Sequence, residues 1–295
     1  MLMFAVAALF LERTSRSRAQ YHHNSVHAHG RARLYSRKRW TAMLLCALPC
    51  IAGFVLPLML LTRLAFNAHA GFDGAFVRLA INSVLLAMAA AVLVVTCSTA
   101  MAYAARKRDP WMQLLNRAAG TGYAVPGLVL AVGIAVPAIA ADKLLAALLE
   151  RMTGQTTPLL LSGGVLLLLY AYLARFLGIG LQTVEAGLAK ITPSIEDAAR
   201  SMGATGRETL RRVHLPMMRG SVAMAALLVM VDVLKELPAT FVMRPFNFDT
   251  LAVRVYSLAM DERLGEAAAP ALLIVAIAAV PVFLTTRAMS ARAKK

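Results

Sequence analysis

The sequence predicts an all-α bundle of six helices crossing a membrane, on three observations. First, 59% of the 295 residues are hydrophobic and the mean hydropathy is +0.66, too apolar for an ordinary soluble domain. Second, six stretches, roughly 41–65, 78–104, 120–141, 158–181, 221–243 and 268–287, each hold about the 20 residues a helix needs to cross about 30 Å of hydrocarbon. Third, strongly basic segments alternate with balanced ones between those stretches, which is the charge pattern of a polytopic membrane chain.

The chain opens with "MLMFAVAALFLER". This stub, Met1–Leu11, is too short to span. Its positive charge follows the apolar run instead of preceding it, unlike a secretory signal. It reads as the cytoplasmic end of a span whose beginning is missing. Residues 12–40 form a basic linker with His22, His23, His27 and His29. No Cys or carboxylate accompanies these histidines, so a solvated linker suits them better than a metal tract. Cys46, Cys50 and Cys97 lie inside apolar runs and form no disulfide framework.

Orientation follows from the loops. Four segments are basic: 12–40; "ARKRDPWMQLLNRAAG" with Arg106, Lys107, Arg108 and Arg117; 190–219 with Lys190, Arg200, Arg207, Arg211, Arg212 and Arg219; and the tail with Arg287, Arg292, Lys294 and Lys295. The segments near 66–76, 142–157 and 244–267 are balanced. One orientation satisfies all seven: both termini and the 190–219 segment are cytoplasmic. The net charge of +16 is then explained by the loops without nucleic acid.

Between the fourth and fifth stretches lies "IEDAARSMGATGRETLRRVHLP", polar and helical in pattern. Thr192 and Ser194 are candidate N-caps, and Pro193 suits a first turn. Glu196 and Asp197 fall near the positive end of the helix dipole. Ile195, Ala199 and Met202 share one face. Gly203 is a natural stop, free to adopt positive φ. Thr205 and Glu208 have capping-box spacing, and Leu210 and Val213 continue an apolar face up to Pro216. Two short Arg-rich helices around a Gly turn also describe a helix-turn-helix DNA reader. Against a membrane-tethered DNA-binding regulator, the unit lacks a third helix and is tethered to spans on both sides. A small knob formed by Ala198, Ala199 and Met202, projecting on a rigid turn, suits insertion into another protein's groove.

The spacing Asp197-Ala198-Ala199, three residues, Gly203, nine residues, Val213-His214-Leu215-Pro216 resembles the EAA signature loop of ABC importer permeases. It departs by Asp for Glu, with Glu196 just before it, and by Val for Ile. The segment "VDVLKELPATFVMRPFNFDTLAVRVYSLAMDERLGEAA" is similar to the end of ferric-iron-type permeases. The resemblance covers roughly residues 41–290 and implies a type I ABC importer permease-like fold, with 1–40 as stub and linker and 291–295 as a basic tail. It implies that this chain is similar to the C-terminal half of a fused permease. Glu196, Asp197, Ala198, Ala199, Met202, Gly203, Val213, Leu215 and Pro216 would form the loop that couples to an ATPase. The implied partners are ABC ATPase subunits, a second permease half (a separate chain or a second copy), a periplasmic substrate-binding protein and the lipid of a bacterial inner membrane. Nucleic acid is not among them. The implied function is ATP-driven import by alternating access, with ferric iron the first substrate and thiamine, sulfate, polyamine or phosphonate the alternatives.

The fifth stretch carries Asp232, Lys235 and Glu236. Ionisable groups in a span are costly and turn to the bundle interior or to water. Two readings stay open: a polar lining of the translocation path, or an internally neutralised cluster that fixes packing. Pro238 should break the helix just beyond them. The segment Asn247–Glu266 predicts a short amphipathic helix with Leu251, Val255 and Leu258 on one face, lying along the membrane surface by default. There is no catalytic constellation, no GxxxxGK[ST] phosphate loop and no zinc-like spacing. The expectation is a transporter subunit that binds no cofactor, with ATP and Mg held by the partner ATPase.

Overall fold

A computed structural model describes residues 36–68, 73–106, 110–154 and 162–293. The N-terminal stub, residues 12–35 of the linker with its four histidines, Lys107, Arg108, Lys294 and Lys295 lie outside the described residues, and the last five linker residues, 36–40, belong to the first helix. Every regular element among those described is helical, and six helices are long and apolar enough to cross a membrane: Arg39–Asn67, Gly74–Ala105, Gly127–Thr153, Val165–Leu188, Gly206–Leu234 and Leu264–Phe283.

The first span comprises α1 (Ser36–Cys50), a π turn (Ile51–Val55) and α2 (Leu56–Asn67). None of its side chains from residue 39 onward is buried. Its π turn has a simple cause. Pro57 has no N–H for the Gly53 carbonyl, and its ring would clash with the carbonyl four residues back. Widening the preceding turn so that the Leu56 N–H bonds the Ile51 carbonyl accommodates the ring.

The remaining spans form the body. α3 (Gly74–Ala105) starts at Asp73, whose side chain accepts the Phe76 N–H at 2.8 Å. α4 (Pro110–Gly120) leads through a 3₁₀ turn (Thr121–Ala124) into α5 (Gly127–Thr153). α6 is Val165–Leu188, and α7 (Pro193–Ser201) and α8 (Gly206–Thr209) make up the polar loop. A second π turn (Leu210–His214) precedes α9 (Leu215–Leu234), with Pro216 standing to it as Pro57 stands to the first. α10 (Pro238–Met243), α11 (Leu251–Met260) and α12 (Leu264–Ala293) complete the chain.

α3, α6 and α9 form the heart of the body. Leu86, Ala87, Ala90, Val94, Leu168, Tyr172, Phe176, Val229 and Val233 are buried where they meet, together with Ala239 and Met243 of α10. A second cluster, Ala102, Leu181, Val184, Leu188, Ile191 and Met218, lies nearer the polar loop. Small residues let the helices approach, as in membrane bundles generally. A Cβ on Gly180 would stand 2.5 Å from the Ser98 hydroxyl, and one on Gly187 2.5 Å from that of Ser221.

Span boundaries differ from the sequence expectation for physical reasons. Hydropathy begins the third span at 120, but Pro126 cannot continue a helix from the 3₁₀ turn, so α5 starts at Gly127. It then runs on through the expected loop to Thr153, where Gly154 caps it with φ 70°. Asp142 is buried in this helix and accepts from the Ser162 N–H (2.5 Å) and hydroxyl (2.6 Å). The fifth span begins earlier, at the capped start of α8, and ends at Leu234, so Lys235 and Glu236 fall in the break itself and not in the helix before it; Pro238 then starts α10.

α11 corrects the expectation of a surface helix. Leu251, Val253 and Leu258 are buried, whereas Val255 is only partly so. The Leu251 N–H donates to the Ser83 hydroxyl (2.8 Å), and the Asn82 amide donates to the Asp249 carbonyl (3.3 Å), both on α3. Satisfying those polar groups inside the body outweighs laying an apolar face on lipid.

Candidate functional site

Two polar constellations stand out, one at each end of the fifth span. The first is the loop between α6 and α9. Pro193 opens α7, with Thr192 at the N-cap; the Thr192 hydroxyl bonds that of Ser194 (2.9 Å) and leaves the helix N–H groups uncapped by side chains. Glu196 lies in the first turn, complementing the helix dipole. The helix ends at Gly203, whose φ is +84°. There the Gly203 N–H donates to the Arg200 carbonyl (2.9 Å) and the Ala204 N–H to that of Ala199 (3.1 Å), consuming carbonyls a helix end leaves unpaired. The capping box is formed in both directions. The Glu208 N–H donates to the Thr205 hydroxyl (3.3 Å), and the Thr205 N–H to the Glu208 carboxylate (2.9 Å).

The knob is not composed as the helical spacing suggests. Ile195 and Ala199 face the body, Ala199 being buried, whereas Met202 is 82% exposed. Met202 is the C-cap residue, where the turn redirects the chain, so helical spacing no longer sets its direction. The outward face is Asp197, Ala198, Ser201 and Met202. Val213 is half-buried, and Leu215 and Pro216 are exposed at the entry to α9. α8 has one turn and passes directly into the fifth span. No separate recognition helix exists here, and the DNA-reader geometry is absent.

Two residues of α3 and its end hold this loop, and sequence reasoning gave neither a role in the site. Arg106 donates through Nη1 to the Leu188 carbonyl (3.0 Å) and through Nη2 to the Ile191 carbonyl (2.8 Å), and its Nε pairs with Glu196. One turn earlier, the Tyr103 hydroxyl donates to the Gly206 carbonyl at 2.8 Å. His214 is fully buried, with Nε2 3.2 Å from Glu196 and its ring 5.6 Å from that of Tyr103. The two acidic residues of the motif therefore divide: Glu196 turns inward to Arg106 and His214, and Asp197 faces out.

The second constellation lies where two spans are interrupted, at the 3₁₀ turn and Pro126 before α5 and at Lys235–Leu237 between α9 and α10. Glu236 is 6% exposed. Its carboxylate stands 3.2 Å from Nε of Arg175 on α6 and accepts the Ala239 N–H at 3.3 Å, at the start of α10. Arg175 also donates from Nη1 to the Val125 carbonyl (3.4 Å). A Cβ on Gly127 would stand 2.3 Å from that Nη1 and 2.8 Å from Glu236 Oε1, so the pair packs directly against the start of α5. Lys235 pairs with Asp232 at 2.7 Å. Beneath them the Tyr172 and Thr240 hydroxyls bond at 2.5 Å, and the Thr240 hydroxyl donates to the Glu236 carbonyl at 2.7 Å.

The three predicted residues are thus together; Lys235 and Asp232 neutralise each other, but Glu236 has no share in that pair. Glu236 takes its cation from Arg175, which sequence reasoning missed. The signal was available: Arg175 is the one charge in "LLLLYAYLARFLGIGL", and a charge in a span needs a partner. The described residues contain no group of three or more His, Cys, Asp or Glu able to hold a metal ion.

No family model matches the chain. It is 27% identical over 205 residues to the Fe(3+)-transport system permease protein FbpB 2 of Haemophilus influenzae, covering 69% of this chain and 37% of that protein. It is 32% identical over 120 residues to the putative 2-aminoethylphosphonate transport system permease protein PhnV of Salmonella typhimurium, covering 41% of this chain and 45% of that one. The chain thus spans less than half the length of these curated relatives. Among solved structures, it matches a chain of a bacterial alginate ABC transporter in complex with its alginate pentasaccharide-bound periplasmic protein. That match has a TM-score of 0.64 at 15% identity and covers 87% of this chain and 95% of that one. A second structure, of a bacterial ABC transporter involved in alginate import, gives 0.65 at 14% identity over 87% and 96%.

Proposed function

We propose that this multi-pass membrane chain, similar in fold to bacterial ABC transporter chains and in sequence to two transport permeases, is the permease subunit of an ATP-driven importer. It pairs with a second six-span unit, either a separate chain or a second copy. The outward face of the loop, Asp197, Ala198, Ser201 and Met202, docks on an ATPase that holds ATP and Mg. The basic segments put this loop and both termini on the cytoplasmic side of a bacterial inner membrane. A periplasmic binding protein delivers solute at the opposite end, and the polar patch of Asp232, Lys235, Glu236 and Arg175 lines its path. Ferric iron is the favoured solute because the match to the Fe(3+) permease extends over 205 residues. Phosphonate stands second on its shorter match.

The observation that carries this reading is Met202, 82% exposed on a turn whose root is clamped to the spans. An apolar side chain held out on a rigid support is made to enter a groove. Met202→Cys, co-expressed with the candidate ATPase and treated with a short bifunctional thiol reagent, should form an ATPase adduct. ATP-dependent uptake by the reconstituted complex should accompany it. Adduct formation with no ATPase subunit under any nucleotide condition would sink the docking role.

A further inference from the structure

The two ion pairs of the polar patch are lopsided in the same sense. In Arg175–Glu236 the cationic side chain is 17% exposed and the carboxylate 7%; in Lys235–Asp232 the figures are 63% and 14%. Both carboxylates turn inward and both cations turn outward. Glu236 is held in by the Ala239 N–H and by the start of α5. Arg175 ion-pairs with Glu236 through the Nε side and donates from Nη1 to the Val125 carbonyl, and its Nη2 makes no hydrogen bond among the described residues. Tyr123 is half-exposed on the 3₁₀ turn, its ring 6.3 Å from that of Phe176, the residue next to Arg175 on α6. The four charges sum to zero, yet the accessible edge carries a guanidinium, an ammonium and a phenol. A bare metal cation entering here meets like charge before it meets either carboxylate. An oxyanion meets donors, and a guanidinium is the side chain whose planar N–H groups match carboxylate and phosphate-like oxygens.

We infer that this patch receives an oxyanion group of the transported solute, with the free Nη2 edge of Arg175 as the main donor and Lys235 and Tyr123 beside it. The inference rests on the importer reading and narrows it. A phosphonate carries such a group itself, and ferric iron arrives with one when it travels as a complex with an oxyanion chelator. Gly127 serves the same end: lacking a side chain, it leaves room for the guanidinium to lie flat against the start of α5.

The test uses the transporter assembled with its ATPase and binding protein in proteoliposomes, with 2-aminoethylphosphonate and ferric citrate as probes. Arg175→Gln alone strands Glu236 as a buried unpaired carboxylate, so it is combined with Glu236→Gln. Lys235→Gln is made separately, with Asp232→Asn beside it because Asp232 would otherwise lose its cation, and the exposure of Lys235 keeps the risk to folding small. Each variant should raise the KM of the transported probe about tenfold or more, the effect of losing one charge-assisted hydrogen bond, while the ATPase stays bound. The probe whose KM moves identifies the source of the oxyanion. If the Arg175→Gln, Glu236→Gln variant does not assemble, the Lys235→Gln, Asp232→Asn variant decides alone. Unchanged KM for every transported probe overturns the inference and leaves the importer reading standing. ATP-dependent uptake of neither probe by the unaltered transporter overturns the inference, and failure to retain an ATPase overturns the importer reading as well.

Discussion

Gly203→Val isolates the turn of the polar loop from everything around it. The φ of Gly203 is +84°, and a Cβ placed there meets nothing within 4 Å. Crowding therefore contributes nothing, and the whole cost is conformational. For a residue with a Cβ the left-handed region costs about 1–2 kcal/mol, and a β-branched side chain sits at the upper end. A cost of ~2 kcal/mol corresponds to roughly a thirtyfold shift against the native turn. Relaxing to negative φ would break the bonds from the Gly203 and Ala204 N–H groups to Arg200 and Ala199. That would redirect Met202 and the start of the capping box at Thr205. The six spans lie elsewhere, so membrane insertion and thermal stability of the bundle should be unchanged. Retention of the ATPase during purification, titrated against ATPase concentration, should fall in the order Gly203, Gly203→Asn, Gly203→Ala, Gly203→Val, because Asn tolerates positive φ best among these replacements. Full ATPase retention and transport in Gly203→Val, or a series without that order, would refute the reasoning.

Four further outcomes follow from the geometry. Gly127→Ala drives a methyl to within 2.3 Å of the Arg175 guanidinium and should lower stability by up to about 3 kcal/mol, the low end for breaking a buried ion pair, read as a drop in detergent melting temperature. Arg106→Met removes two carbonyl bonds and the partner of Glu196 at once; ATP hydrolysis should persist while uptake per ATP falls, and Arg106→Lys should rescue it poorly because an ammonium cannot match the guanidinium's fork. Thr205→Ala should cost about 1 kcal/mol through the lost cap, detectable as faster hydrogen exchange at Glu208. Ser201→Cys should react with a membrane-impermeant maleimide only in inverted vesicles and Asp261→Cys only in intact cells; the reverse labelling would overturn the orientation.

The sequence made the spans legible because hydropathy averages over some 20 residues, and it blurred their ends for the same reason. The third span starts seven residues late, at Gly127, because Pro126 and the 3₁₀ turn are local events that an average cannot register. Two local features of the loop were legible, the turn at Gly203 and the capping box at Thr205, because each depends on neighbours within a few residues, whereas the candidate caps Thr192 and Ser194 bond each other instead of the helix. What stayed hidden depends on distant partners. Arg106 finds its acceptors 82 and 85 residues away, Tyr103 finds Gly206 103 residues away, and Ser83 meets Leu251 across 168. Glu236 was legible as a charge needing neutralisation, but nothing near it in the chain pointed to Arg175. Met202 shows the limit of periodicity at a helix end, where one residue past the last turn points elsewhere.

The grip of Arg106 bears on how force travels. One guanidinium fastens the end of α3 to the end of α6 through the Leu188 and Ile191 carbonyls, and to the first turn of α7 through Glu196. Tyr103 adds a second rivet to the start of α8. A loop pinned at both roots cannot swing like a flap on its own tethers. A push on Met202 would have nowhere to dissipate and would be delivered as torque to α3, α6 and α9 together. Those are the helices that form the heart of the body, and the same rigid coupling would carry a displacement of that heart back out to the loop.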